Sequence, residues 1–282
     1  MRFSRKGATV RDAAHATVLV TGATDGLGKR VARELAAKGA AVLLHGRSSK
    51  RLEATLEELR GQTGSTKLDS YLADLSSLRE VRGLAEQVLS EHERLDVLVN
   101  NAGVISPERE VSEDGFELTF AVNHLSHFLL TRLLLPLLRG SAPARIVNVA
   151  SAGQSSIDFK DPMLEHRYDA MRAYTRSKLA QVMFTFELAE RLQDAGVSVN
   201  ALHPASLMDT KMVHETFGYT MSTVEEGAAA VVRLAASPEV EGVTGRYFDG
   251  TREARANRQA YDPEARKRLW ALSEELCDKG EG

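Results

Sequence analysis

The chain has 282 residues, 43% of them hydrophobic and 27% charged, an ordinary balance for a globular protein and enough chain for one large α/β domain or two small ones. A formal net charge of −3 gives no electrostatic reason to expect nucleic acid or an anionic membrane as a partner. The single cysteine, Cys277, excludes an internal disulfide framework and a multi-cysteine metal site, and the expected setting is cytoplasmic with no metal.

Residues 1–14 start basic and hold no apolar run of the ~7–15 residues that a secretory signal requires. A flexible tail is expected there, followed by one domain over 15–282. Seven β-branched or apolar runs follow in order: ATVLV (16–20), AAVLLHG (40–46), LDSYLAD (68–74), LDVLVN (95–100), ARIVNVAS (144–151), VSVNALH (197–203) and GRYFDG (245–250). Helical patterns separate them. This alternation predicts right-handed βαβ units around a parallel sheet. The runs are apolar at both alternating sets of positions, as strands covered on both faces must be. The most apolar stretch, FLLTRLLLPLL, is interrupted by Arg132 and Pro136 and is expected to be too short to span a bilayer. The patterns over 116–138 and 174–195 are apolar on more than one face, which predicts burial.

The first strand run leads into TGATDGLG, residues 21–28, and then into a helical pattern. Glycines here let backbone approach a pyrophosphate, and the following helix N-terminus offers free N–H groups. The spacing is TGxxxGxG rather than GxGxxG, and taken alone it is either a structural turn or a phosphate cradle. About 20 residues on, a carboxylate would bind the ribose 2′-hydroxyl of NAD. The second strand run instead ends in His45-Gly46-Arg47-Ser48. Arg47 offers a planar fork to a 2′-phosphate, or else starts a solvated helix. Asp25, inside the turn, weighs against an added phosphate. Further on come Asp74 and Leu75 in LADLS, NNAG at 100–103, Asn123 in AVNHLSHF, Ser151 after IVNVA, Tyr174 and Lys178 in AYTRSKLAQ, and His203-Pro204. Each has an ordinary reading by itself: a helix cap for Asp74 or Ser151, a turn for NNAG, a solvated helix face for the Tyr/Lys pair.

Taken together and in this order, these segments resemble the short-chain dehydrogenase/reductase family. The resemblance runs from about Thr17 to the C-terminal helix. Ser151 and Tyr174 stand 23 positions apart, a wide spacing similar to that of the family's retinol dehydrogenase-like subgroup. The resemblance implies a single Rossmann-type, doubly wound parallel sheet of about seven strands with helices on both faces. It implies that the glycine turn (Gly22, Thr24, Asp25, Gly26, Leu27, Gly28) holds the pyrophosphate and that Asp74 and Leu75 contact adenine. Asn101, Ala102 and Gly103 would lie beside the ribose, and Pro204 would also border the cofactor. Tyr174 would be the acid/base, Lys178 its activator and a ribose ligand, Ser151 the stabiliser of the substrate oxygen, and the Asn123 backbone a water-holding proton relay.

The physical basis of the pair is direct. A phenol titrates at about 10 and is a sluggish base near neutrality. An ammonium one helical turn away favours phenolate and is expected to lower that value. Two departures stand out: Ala205 replaces the usual glycine, and Thr210 lies one place later than in the common pattern, which puts its assignment to the nicotinamide carboxamide in doubt. Residues 205–222, rich in Met and aromatics, read either as a lid over an apolar substrate or as a loop with packing anchors. His124, His127 and His203 read as packing rather than metal ligands, and Cys277 likewise. The expectation is an NADP(H)-favouring oxidoreductase acting on a small carbonyl or alcohol, as a homodimer or homotetramer. The alternative is a non-catalytic NADP(H)-binding redox sensor, which would not need the Ser/Tyr/Lys/Asn set. An epimerase would need a larger substrate domain.

Overall fold

The structure is a computed structural model, and it describes residues 13–279. Of the expected N-terminal tail, residues 1–12 lie outside that range, and Ala13–His15 form a 3-10 turn. The elements are β1 (Thr17–Val20), α1 (Gly26–Ala37), β2 (Ala41–Gly46), α2 (Ser49–Thr63), β3 (Leu68–Leu72), α3 (Leu78–Glu91) and β4 (Val97–Asn100). Then come α4 (Leu118–Phe120), a π-helical turn (Ala121–Leu125), α5 (Ser126–Gly140), β5 (Ala144–Val149), α6 (Ala170–Arg191) and β6 (Val197–His203). The chain ends with α7 (Lys211–Phe217), α8 (Val224–Ala236), β7 (Arg246–Asp249), β8 (Arg252–Glu253) and α9 (Pro263–Asp278).

The strands form one sheet in the order β3-β2-β1-β4-β5-β6-β7-β8. The first seven run parallel, and β8 is a two-residue antiparallel addition at the edge. The seven expected strands are all present, and the sheet is the doubly wound type. Alternation explains the layers. Leu19, Leu43 and Leu98 enter the core under α3, α5 and α6, while Val18, Val20, Val42, Leu44, Val97 and Val99 enter the core under α1 and α8. Both faces are covered, so neither set of positions can be polar. Strand order reverses between β1 and β4, which opens a crevice beyond their carboxyl ends.

Two apolar helical regions bear on the expectations above. Residues 118–140 form 23 consecutive helical residues, long and apolar enough by length and composition to cross a membrane. The FLLTRLLLPLL segment is only residues 128–138 of that helix, interrupted by Arg132 and Pro136. Its apolarity is instead used inside the protein, since 72% of the most apolar window is buried. The second concerns the apolar outer faces of α5 and α6, which carried the expectation of a second subunit. Helix α9 of the same chain packs against them. Trp270 meets Phe128 edge-on at a centroid distance of 5.0 Å and stacks on Phe184 at 5.9 Å. Arg191 lies 4.0 Å over the Trp270 ring. Aromatic pairs of this kind add roughly 0.5–1.5 kcal/mol each beyond their buried area. Part of the apolar surface of α5 and α6 is thus covered within one chain. Cys277, on the same helix, is fully buried, and burial pushes its thiol up to about 12.

Candidate active site

The glycine turn and the NNAG segment leave adjacent strands, β1 and β4, on the two sides of the switch point. Polar bonds join them. The Thr21 hydroxyl accepts the N–H groups of Asn101 (2.8 Å) and Ala102 (3.0 Å), and the Asn101 amide donates to the Thr21 carbonyl (2.8 Å). The Asn101 side chain thus braces the turn rather than reaching outward. Gly22 has φ +66°, a left-handed conformation that a side chain would strain. At Gly28 the reason for glycine is space: a Cβ would lie 2.1 Å from the Gly22 carbonyl oxygen. The close approach of helix α1 to the turn, which exposes its first N–H groups to the crevice, exists only without that atom.

Around this cradle lie the flanking candidates. Asp25 caps α1, its carboxylate accepting from Gly26 N–H at 2.8 Å and pairing with Arg51 Nη2 at 2.7 Å. Arg51 sits one helical turn after Arg47, which is exposed at the end of β2. The acidic charge in the turn is therefore already matched by an arginine that the sequence reading overlooked, although its i+4 spacing from Arg47 was a readable signal. Asp74 follows β3. Its Oδ1 accepts from the backbone N–H (2.9 Å) and hydroxyl (2.8 Å) of Ser76, so the carboxylate shapes the turn into α3, where Ser77 is the cap. Leu75 is buried beside it. Pro204 follows β6. Thr210 caps α7, and a Cβ on Gly26 would lie 3.2 Å from its methyl. The 205–222 segment thus rests on the glycine turn, with Met208 bridged to Ser222 and Phe217, Tyr219 and Met221 exposed.

Tyr174 and Lys178 lie on the first turns of α6, whose N-cap Asp169 accepts from Arg172 N–H. Lys178 is buried. Its ammonium donates to the Val149 carbonyl (2.8 Å) and to Gln181 Oε1 (2.9 Å), and it stands 5.6 Å from the centre of the Tyr174 ring. Burial lowers its pKa to about 7. Burial also raises the Tyr174 phenol above its ordinary value, while a hydrogen bond from Ser151 pulls the other way. The expected lowering of the Tyr174 pKa is therefore not found in the protein alone, because desolvation outweighs the stabilising contacts of the anion. Ser151 closes β5. Its hydroxyl accepts from Gly153 N–H (3.1 Å), and its carbonyl accepts from Tyr247 Oη (3.0 Å) and Gln154 Nε2 (2.8 Å).

Asn123 sits in the π-helical turn, a feature that often marks functional sites. Its side chain bonds both ways to Val104, accepting from N–H at 2.8 Å and donating to the carbonyl at 3.0 Å, and it also donates to Ser177 Oγ at 2.9 Å. Its backbone carbonyl lies 3.2 Å from His127 Nδ1. A Cβ on Gly103 would lie 3.4 Å from Asn123 Oδ1 and 3.6 Å from Lys178 Nζ. The predicted NNAG end, Asn123, Ser151, Tyr174 and Lys178 are thus gathered at the same carboxyl edge of the sheet. The histidines pack: His124 bonds Ser273 Oγ at 2.8 Å among Phe120, Phe128 and Phe184, and burial lowers both its pKa and that of His127 to about 3.

The wide Ser-to-Tyr segment is not free. Gln154 Oε1 accepts from Asn257 N–H at 2.9 Å. Gln259 exchanges two bonds with Ile157, at 2.7 and 3.0 Å. Tyr168 donates to the Ser106 carbonyl at 2.8 Å. These tethers were invisible locally, since the partners lie on distant segments.

The lysine gives a stability prediction. Its folded pKa lies below that of the unfolded chain, about 10.4. Between these values the unfolded state binds a proton that the native state lacks, so stability rises with pH across that window. Lys178→Met removes the buried cation. Its melting temperature is expected to exceed the parent's by more near pH 7 than near pH 10; an equal gap at both would contradict a desolvated Lys178.

Comparison with known proteins is consistent with this geometry. A family profile described as "short chain dehydrogenase" matches residues 16–218. Retinol dehydrogenase 13 of Mus musculus is 42% identical over 277 residues, covering 92% of this chain and 83% of that protein. A solved structure from Mycobacterium paratuberculosis is 31% identical with a TM-score of 0.74, covering 97% of this chain and 98% of that one. The Pseudomonas aeruginosa RhlG/NADP complex is 28% identical with a TM-score of 0.71, covering 86% and 97%. With its doubly wound sheet, glycine turn and wide Ser-to-Tyr spacing, the chain belongs to the short-chain dehydrogenase/reductase family, in its retinol dehydrogenase-like subgroup.

Proposed function

We propose that the protein transfers hydride between NADP(H) and the carbonyl or alcohol carbon of an apolar small molecule. The carrying observation is the convergence of Ser151, Tyr174, Lys178 and the Asn123 turn at the switch-point edge, beside a glycine turn that a Cβ at Gly28 would block. The residues fit a dinucleotide. The α1 N-terminus and the glycine turn suit a pyrophosphate, and Asp74 and Leu75 stand at the strand end on the adenine side. Asn101, Ala102 and Gly103 would lie beside the ribose, and Pro204, just after β6, would also border the cofactor. Arg47, with Arg51 already matching Asp25, supports a 2′-phosphate and hence NADP(H). RhlG, a structural relative, is described as a complex with NADP.

When bound, the nicotinamide supplies or accepts the hydride. The protein's share is to orient the substrate oxygen and move its proton. Tyr174 Oη donates to that oxygen during reduction and takes the proton back during oxidation. Ser151 Oγ adds a neutral hydrogen bond where negative charge grows. Lys178 holds its ammonium one turn from the phenol and stabilises the phenolate left after donation. Its pKa of about 7 lets it both hold and pass a proton near neutrality. The Asn123 carbonyl, although it already lies 3.2 Å from His127 Nδ1, keeps a second lone pair that offers the next acceptor along that path. Residues 205–222 serve as a lid over this site. Their exposed Phe217, Tyr219 and Met221 suit an apolar substrate, in keeping with the name retinol dehydrogenase carried by the relatives.

Two outcomes test this reading. With NADPH and a panel of apolar aldehydes and ketones, Tyr174→Phe is expected to lose on the order of a hundredfold or more in kcat, the scale of general acid catalysis. Turnover equal to the parent's would remove Tyr174 from the mechanism. Arg47→Asp is expected to weaken NADPH binding by about tenfold or more, as loss of a charge-assisted phosphate contact does, while leaving NADH binding little changed. Equal loss for both cofactors would show that Arg47 does not read the 2′-phosphate.

A further inference from the structure

His45 is the last residue but one of β2 and is 2% exposed. Its ring touches two loops that the proposed cofactor would contact. Nδ1 lies 3.2 Å from the backbone nitrogen of Gly22, in the glycine turn, and Nε2 lies 3.0 Å from the carbonyl oxygen of Ala73, next to Asp74. Its own carbonyl accepts from Ala23 N–H at 2.8 Å. The backbone groups decide the tautomer. Gly22 N–H can only donate and the Ala73 carbonyl can only accept, so the ring is neutral with its proton on Nε2. Burial keeps it so, lowering the pKa to about 4.

We infer that His45 is a positioning residue for the cofactor, a neutral clamp that fixes the distance between the pyrophosphate turn after β1 and the adenine-side turn after β3. The inference rests on the dinucleotide reading above. Pyrophosphate and adenine belong to one molecule, so the two turns serve it only when their separation is held. A ring that accepts from one turn and donates to the other, inside the core, holds that separation directly. The backbone end of β2 already ties each turn once, with the Gly46 carbonyl accepting from Ala73 N–H at 3.2 Å and the His45 carbonyl from Ala23 N–H at 2.8 Å; the His45 ring adds a direct side-chain bridge from Gly22 to Ala73.

NADPH binding, followed by nucleotide fluorescence, tests the clamp without knowledge of the substrate. His45→Leu keeps the volume and loses both bonds; its NADPH dissociation constant is expected to rise tenfold or more. His45→Gln, whose amide can accept from Gly22 and donate to Ala73, is expected to stay within threefold of the parent. A folded Leu variant that binds like the parent, or a Gln variant as weak as the Leu variant, overturns the clamp while leaving the functional reading intact. A parent that binds neither NADPH nor NADH overturns both. Should the Leu variant not fold, the 15N shifts of His45 in the parent decide: protonation on Nε2 supports the clamp, and protonation on Nδ1 overturns it.

Discussion

The pairing of β1 with β4 is the constraint on which the rest of the molecule depends. These strands are neighbours in the sheet although two strands and three helices intervene in sequence. Their contact creates the switch point, and the Thr21 hydroxyl secures it by accepting two N–H groups from the segment after β4. A hydroxyl has two acceptor sites and one donor, so both acceptor sites are used. That leaves the proton for the Val99 carbonyl at 3.3 Å or His127 Nε2 at 3.1 Å. The glycine turn and the NNAG turn are thereby locked as one unit before any ligand arrives.

Behind this unit runs a buried polar seam. Lys178 bonds Gln181, Gln181 lies 3.4 Å from His127, and His127 lies 3.1 Å from Thr21. Such groups are costly to bury unless bonded. A core built for stability alone would be apolar here. On the function proposed above, the seam is the support that holds Lys178 near Tyr174 in a dry environment, with stability given up for that arrangement. Tyr247 and Gln154 do similar work for Ser151 by fixing its carbonyl.

Much of this was legible in the sequence, and the limits have physical causes. All seven long strands follow from local runs of β-branched and apolar residues. The glycine turn, NNAG and the Tyr/Lys pair are local patterns, and the sheet brings them to one edge as expected. What was missed depends on long-range contacts. The His45 bond to Gly22 spans 23 positions and that of Gln154 to Asn257 spans 103. The burial of α5 and α6 follows from their own patterns, but the packing of α9 (Pro263–Asp278) on them joins segments far apart in the chain and leaves no local signal. The Tyr174 pKa was misjudged because spacing shows a neighbouring charge and does not show desolvation. The π turn at Asn123 left no local signature, since its residues also suit an α-helix.

The central claim is that this edge of the sheet hands a hydride to a carbonyl carbon. Reduction of apolar aldehydes with NADPH carrying deuterium at both C4 positions of the nicotinamide tests it most directly. The account predicts product alcohol with deuterium on the former carbonyl carbon, formed by the parent protein and identified by mass spectrometry. Alcohol formed without the label, or NADPH bound with no carbonyl reduced across the panel, would contradict it.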